Sequence, residues 1–574
     1  MSITGIRWAG PRAVLVELTD LASVLALHHR LQAEPLPGQL DAVAAAATVL
    51  VKFASRAHTR SAREKIPHLD IHLRHQAAGR DVTIEVMYDG EDLAEVGRLC
   101  GLGADGVVAA HTGQLWTGAF GGFAPGFTYM VGENHSLDVP RRSSPRTAVP
   151  AGSVALGGGF SAVYPRQSPG GWQLIGRTAA VMWDLERESP ALVRPGDTVR
   201  YVAVRESLPL RNSSTTGAGA AEQAAGTEQT GTEQAPGAAD PASAGTSGLV
   251  VVAAGLQSLV QDLGRPGLGD LGVSSSGAAD QRSARQANRL VGNEPGAAVV
   301  ENLLGGLAVS ARGDQVLAVA GAPAGLEIRD SAQALLRRPA MCGPFALLDG
   351  EILSVGSPSA GLRSYLAVRG GVDVPPVLGS RSSDSMSGIG PAPLAAGTFL
   401  PVARVAGVRP VGVPEEATLN SGPSAAVFRV TLGPRDDWFP PEALDVLTSQ
   451  AWLVTEQSNR IGVRLAPADS SPNEAGRPLE RSREGELPSE GAVAGALQVP
   501  PNGHPVLFLA DHPVTGGYPV IAVVVPEDLP AAAQLPPGHR VRFSIVDPET
   551  LNPLDRYSPR VSAVSGTVSE GTQP

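Results

Sequence analysis

A chain of 574 residues, 43% hydrophobic and 18% charged, carries enough apolar material for two to four globular domains and is not a disordered protein. A net charge of -11 with no long basic run argues against a nucleic-acid partner. No window reaches the roughly 18 apolar residues a membrane-spanning helix needs, and the N-terminus lacks the layout of a signal peptide, so a cytoplasmic protein is expected.

The predicted elements begin with short apolar strands at Ala13–Leu18 and Thr48–Phe53. Between them, Leu21–Ala33 has helical spacing, with Leu21, Val24, Leu25 and His28 on one side. A second helix is read over 61–75, and DVTIEVMY at 81–88 alternates as a half-buried strand. Strand, helix, strand, helix, strand over about 85 residues predicts a small α+β sandwich. Helices over 92–99 and 105–114 follow. Next come short strands broken by Gly and Pro at 120–129, 154–156, 173–175, 179–183 and 198–204, the pattern of a β-barrel or sandwich.

Residues 207–248 cycle through Ala, Gly, Thr, Glu, Gln and Ser and read as a disordered linker. Beyond it, strands are expected at 249–253, 316–319, 364–368, Ala426–Leu432, 452–455, 506–509, 520–525 and 540–546, with one helix over 280–291 closed by Gly292. The polar stretch 469–486 and the tail 557–574 read as looped or disordered. The expected domains are therefore 1–88, a small α+β subdomain; 89–206, a β-barrel; and 249–556, two β-barrel-like halves. The fold class is α+β and β-rich.

Cys100 and Cys342 are isolated, so neither a disulfide framework nor a zinc site is indicated, and no metal ligand set is expected. Lys52 and Lys65 are the only lysines among 45 basic residues. The C-terminal half therefore has no Schiff-base lysine and no biotin attachment. No GxxxxGK[ST], HExxH or GxSxG motif occurs.

Three N-terminal motifs carry candidate chemistry. In GGFAPGFTY at 121–129, Phe123 and Phe127 flank a Pro125-Gly126 turn, which either exposes backbone N–H groups beside an aromatic pocket or is a structural turn. In PRRSSPRTAVPAGS at 140–153, arginines among prolines, Arg146 included, suit an anion or are solvated charge. YPRQSPGGW at 164–172 leads to IGRT, with Arg177 beside a Gly and a Thr. In this order and spacing the three resemble the KipI-like family, which contains the B component of 5-oxoprolinase, over about 6–204. The resemblance implies an α+β domain followed by a cyclophilin-like barrel. Where many members carry Gln-Thr-Gly, this chain has Phe160-Ser161-Ala162, which alters substrate preference if that loop meets ligand.

The C-terminal motifs are GLQSLVQDLGR at 255–265, GVSSSGAAD at 272–280, SNRIGVR at 458–464, GALQVPPNG at 495–503 and ADHPVTGGYP at 510–519. They resemble the KipA-like family, which contains the C component of 5-oxoprolinase, over about 249–546. Val520 stands where many members have Lys after GGYP. Together the resemblances imply the fused B and C component of an ATP-dependent 5-oxoprolinase. It would use ATP and Mg²⁺, act on a cyclic amide, need a separate A-type subunit, and have mutually associated N- and C-terminal parts. Arg146, Arg177, Arg265 and Arg460 would contact anions, and Phe123, Pro125, Gly126, Phe127 and Gln498 would join them in binding substrate or nucleotide. Asp262, Asp280 and Asp511 are general-base or metal candidates or, equally, N-cap and turn acceptors. Two alternatives stay open: the carboxyltransferase component of a biotin-dependent urea-type carboxylase, and a regulator of a sensor kinase.

Overall fold

The computed structural model describes residues 3–71, 79–142, 144, 146–205, 247–404, 409–419, 426–469, 476–485 and 487–554. The expected linker lies outside these residues except for its last two, Gly248 already opening the strand Gly248–Ala254. The expected tail 557–574 lies outside them entirely. The chain divides into two compact units. One joins Met1–His72 to Ser421–Pro574, and the other is Leu73–Asn420. Each unit thus draws on both sides of the 207–248 stretch.

In the first unit, four antiparallel strands pair in the order Ile3–Trp8, Ala13–Leu18, Thr48–Phe53, Gln39–Ala44. Asp20 starts the helix Leu21–Ala33 by accepting the Ser23 N–H at 2.7 Å. Of the predicted 61–75 helix, residues 72–75 lie outside the described residues, and the rest is displaced: Ser55 caps a helix at Arg56–Lys65, and a 3-10 turn with Pro67 follows it. The remainder of the unit is a closed seven-stranded barrel: Ala426–Leu432, Val520–Val524, Ala496–Gln498, Val506–Phe508, Gly462–Pro467, Trp452–Val454 and Arg540–Ile545. The first and last strands close it in parallel.

Sheet and barrel share an apolar cluster of Ala9, Ala13, Leu15, Val43, Leu50 and Val514. Ala46 N–H donates to Ser489 O at 3.2 Å.

In the second unit, seven strands run in the order Gln173–Arg177, Ser153–Gly157, Phe160–Val163, Thr128–Gly132, Trp116–Gly121, Thr198–Ala203, Asp81–Val86. Paired backbone bonds between Met87 and Arg177, both 2.8 Å, join the outermost strands and close the barrel. The stretch 120–129 is two strands with a loop between them, because the Pro-Gly turn reverses the chain. The run 179–183 forms no strand.

The same unit contains a sandwich. A five-stranded sheet (Gln257–Gln261, Val299–Leu303, Arg363–Val368, Gln315–Gly321, Phe345–Leu347) faces a six-stranded one centred on Ile352–Pro358 and Leu307–Arg312. Val260, Val300, Leu317 and Leu366 of one pack against Leu249, Val309, Ile328 and Leu353 of the other. The helix Gln281–Leu290 covers the outer face of the five-stranded sheet with Ala284, Ala287 and Leu290. Among the described residues no helix is long and apolar enough to cross a membrane.

Because both units are stitched from both ends of the chain, residues 1–205 and 247–574 expressed as separate polypeptides are expected to copurify. Size-exclusion chromatography checks this, and two independently eluting folded fragments would contradict it.

Candidate functional site

The second unit brings two loops from distant parts of the sequence together. The first, 122–127, links the strands Trp116–Gly121 and Thr128–Gly132. Phe123 sits in the left-handed region at φ 58° and Gly126 at φ 77°. A strained non-glycine residue such as Phe123 persists only where its surroundings hold it. They do: Phe127 packs edge-on to Tyr129, Tyr164 and Trp172 with ring centres 5.2, 5.3 and 5.6 Å away, and Phe123 lies 5.4 Å from Phe127. The result is an aromatic wall.

The second loop, 264–277, docks on the first. Gly126 N–H donates to Leu271 O at 3.2 Å. A Cβ on Gly121 would stand 2.0 Å from Asp270 O, and one on Gly272 2.3 Å from Ala124 O, so neither position admits a side chain without separating the loops. Ser276, at φ 51°, is a second strained non-glycine residue on this junction.

Polar groups line the second loop. Arg265 is buried, its N–H donating to Ser275 O at 2.7 Å and its Nη2 to Ser382 O. Ser276 Oγ donates to Ser383 O at 3.3 Å. Asp262 holds the adjoining turn: its carboxylate accepts from Gly264 N and Arg381 N, both 2.7 Å, and from the Ser380 and Ser382 hydroxyls, both 2.6 Å. Asp384, buried, accepts from Met386 N and Ser387 N at 2.9 and 3.0 Å. Arg166, half-buried, comes from the barrel loop after Phe160–Val163. Burial lowers its pKa and the Asp384 charge offsets part of that fall.

Of the residues singled out by sequence, Phe123, Pro125, Gly126, Phe127, Asp262 and Arg265 gather at this junction. Asp280 lies farther along as the N-cap of Gln281–Leu290, accepting from Ser283 N at 2.9 Å and Ser283 Oγ at 2.6 Å. Arg146 is engaged by Glu91 and Asp92 at 2.9 Å each. Burial alone would raise the Asp92 carboxyl, but hydrogen bonds from Arg146 and Leu174 N, with the Arg146 charge, hold it below the usual range. Arg177 is exposed and bonds Asp89 at 2.8 Å. Ser161, in the departure from the family pattern, lies wholly buried in a strand, where it meets His111 and Tyr201.

The remaining three lie in the first unit. Arg460 and Asp511 form a buried bidentate pair, both bonds 2.9 Å. Gln498 Nε2 donates to Tyr518 O at 3.2 Å. Beside them, and not singled out from sequence, His512 stacks on Phe508 with ring centres 5.6 Å apart, its Nδ1 2.8 Å from Pro513 O.

Sequence reasoning also missed Arg166 and Asp384. The signal for the first was present, since it stands inside the YPRQSPGGW motif. A surface cleft of about 400 Å³ in the second unit is lined by Arg282, Arg285, Arg289 and Glu415. Its arginines are exposed and Arg289 is already paired with Glu415, so it offers solvated charge.

Comparison with known proteins places this geometry. The carboxyltransferase domain, subdomain A and B, matches residues 271–545, and subdomain C and D matches 4–193. The C component of the 5-oxoprolinase of Escherichia coli (strain K12) is 36% identical over 300 residues, 51% of this chain and 90% of that protein. The chain belongs to the carboxyltransferase-domain family.

The B component of the 5-oxoprolinase of Escherichia coli O157:H7 is 46% identical over 132 residues, 22% of this chain and 61% of that protein. The match to the B component thus spans about three fifths of its length. The urea amidolyase of Lachancea kluyveri is 31% identical over 313 residues, only 16% of its own length. The crystal structure of TTHA0988 superimposes with a TM-score of 0.75 at 33% identity, covering 93% of this chain and 99% of that one. This carboxyltransferase-domain chain is therefore homologous to the B and C components of 5-oxoprolinase and more distantly to urea carboxylase regions. At its junction, the 122–127 loop comes from the B-like part and the 264–277 loop from the C-like part.

Proposed function

We propose that the chain is the fused B and C component of an ATP-dependent 5-oxoprolinase, opening 5-oxo-L-proline to L-glutamate with a separate A-type subunit. The observation that carries this reading is the docked pair of loops, in which aromatics of the B-like part and polar groups of the C-like part build one junction.

A lactam amide resists water at neutral pH. In this reading the γ-phosphoryl group of ATP passes to the lactam carbonyl oxygen, releasing ADP. Water attacks the carbonyl carbon, the C–N bond breaks as the ring nitrogen takes a proton, and a second water hydrolyses the acyl phosphate to carboxylate and phosphate. Negative charge spreads over the transferring group, and Arg265 with the backbone N–H groups of the loops supplies fixed positive potential. Mg²⁺ in such chemistry travels with the nucleotide phosphates. Among the described residues no group of three or more His, Cys, Asp or Glu is arranged to hold a metal by itself.

The test is glutamate release from 5-oxo-L-proline with ATP and Mg²⁺, with and without a co-expressed A-type subunit. Release that needs both proteins and ATP is the expected result; none from a folded complex would sink the substrate. A second reading, carboxyl transfer from a separate biotin carrier, is favoured by the urea amidolyase similarity. It predicts uptake of carboxylate by urea and no glutamate.

In the same assay Gly121→Ala is expected to lower activity about tenfold or more, since displacing a reacting group by about 1 Å can cost that much. Its thermal midpoint should fall as well, because the added methyl meets backbone that must shift, so activity is read on the folded fraction below that midpoint. Full activity would dissociate the junction from the chemistry.

A further inference from the structure

Arg166 differs from the neighbouring motif arginines Arg142, Arg146 and Arg177. Arg142 and Arg146 hold Asp92, and Arg177 holds Asp89. Among the described residues Arg166 makes no hydrogen bond or ion pair, and its Nε is closed off from solvent without an acceptor. A guanidinium that has lost part of its hydration and gained no partner is costly. It is retained where something else supplies the anion.

The surroundings indicate what that anion belongs to. The Asp384 charge acts on Arg166, although no ion pair joins the two. Tyr164 precedes Arg166 by two residues and packs on Phe127 at 5.3 Å and Phe123 at 6.5 Å. A guanidinium, a carboxylate and an aromatic wall at one junction complement a small ring that carries both an anion and a hydrogen-bond donor.

We propose that Arg166 anchors the carboxylate of the substrate while Asp384 accepts its lactam N–H, the ring lying against Phe123 and Phe127. 5-Oxoproline has that pattern, because the carbon bearing its carboxylate is bonded to the lactam nitrogen. The inference rests on the 5-oxoprolinase reading. It adds the orientation of the ring and predicts that a cyclic amide lacking a carboxylate is a poor substrate.

The test uses this chain in complex with its A-type subunit, with 5-oxo-L-proline compared against 2-pyrrolidinone, the same ring without the carboxylate. Arg166→Leu should raise KM for 5-oxo-L-proline roughly 10- to 100-fold, the loss expected for a charge-assisted hydrogen bond, with a smaller change in kcat. Arg166→Lys should recover part of the loss. Turnover of 2-pyrrolidinone should be poor in the wild type and insensitive to Arg166→Leu. If Arg166→Leu does not fold, Arg166→Gln carries the same comparison, keeping N–H donors without the charge. An unchanged KM in a folded variant overturns the anchor and leaves the 5-oxoprolinase reading standing. A wild-type complex that releases no glutamate overturns both.

Discussion

Replacing Arg435 with alanine should destabilise the first unit by about 3–5 kcal/mol, the cost of removing one partner from a buried ion cluster. Arg435 follows the strand Ala426–Leu432 and its side chain is only 9% exposed. It binds Glu490 through Nε and Nη2 and Glu17 through Nη1. Glu17 belongs to the N-terminal sheet, so this cluster ties the two ends of the chain together. Arg7 bonds Glu17 as well, at 3.1 Å.

The two carboxyls respond in opposite directions. Burial dominates at Glu490 and raises its pKa against the pull of Arg435. At Glu17 burial is again the largest single cause and acts upward, but the hydrogen bonds and charges of Arg435 and Arg7 together outweigh it and lower the value. Without Arg435 the buried Glu490 loses its counter-charge, and the half-buried Glu17 keeps only Arg7. Urea denaturation measures the loss, and Arg435→Ala with Glu490→Gln should recover part of it. A loss below about 1 kcal/mol, the scale of an exposed pair, would show that the cluster is solvated.

The second large effect is acid lability through His111. This imidazole is wholly buried in the barrel and stacks on Tyr201 with ring centres 4.1 Å apart. Tyr201 O–H donates to Met130 Sδ, and Ser161 donates to Tyr201. Ser161 therefore accepts from His111 Nε2 at 2.9 Å, leaving Nδ1 to accept from Tyr88 at 2.7 Å. The neutral ring is satisfied, and burial pushes its pKa from 6.5 down to about 3.

The sign follows from linkage. Below pH 6.5 the unfolded imidazole binds a proton that the folded one refuses until about pH 3, so stability falls as pH falls through that window. At 1.36 kcal/mol per unit of pKa the whole effect is roughly 4–5 kcal/mol. His512, pushed to about 4 first by burial and then by the Lys52 charge, adds the same trend in the first unit. Urea midpoints of the second unit between pH 6.5 and about 4.5, above the ordinary carboxyl range, isolate the histidines. His111→Gln should flatten the profile there, and an unchanged slope would contradict the assignment.

How much of this was legible in the sequence depends on how local the cause is. The helix Leu21–Ala33 was read to the residue, because its cap and its apolar spacing are both local. The strands Ala13–Leu18 and Ala426–Leu432 were read equally well from continuous apolar runs. Ile3–Trp8 and Gln39–Ala44 were missed, since ITGIRW and QLDAVA barely alternate and owe their pairing to the strands between them. The strand-rich α+β class followed from the density of short runs and turns.

The candidate site was half visible. The Pro125-Gly126 turn and the GLQSLVQDLGR motif stood out, but no local pattern says that Gly126 meets Leu271. Nor does sequence distinguish an arginine awaiting a ligand from one answered within the chain. Arg146 and Arg460 are answered by Asp92 and Asp511, whereas Arg166, which drew no notice, is not.

The most direct measurement is a crystal structure of the complex with its A-type subunit, grown with 5-oxo-L-proline. The account predicts density for the ring against Phe123 and Phe127, with its carboxylate on Arg166 and its N–H toward Asp384. Substrate bound instead beside Gln498 and His512, with the 121–127 junction empty, would contradict it.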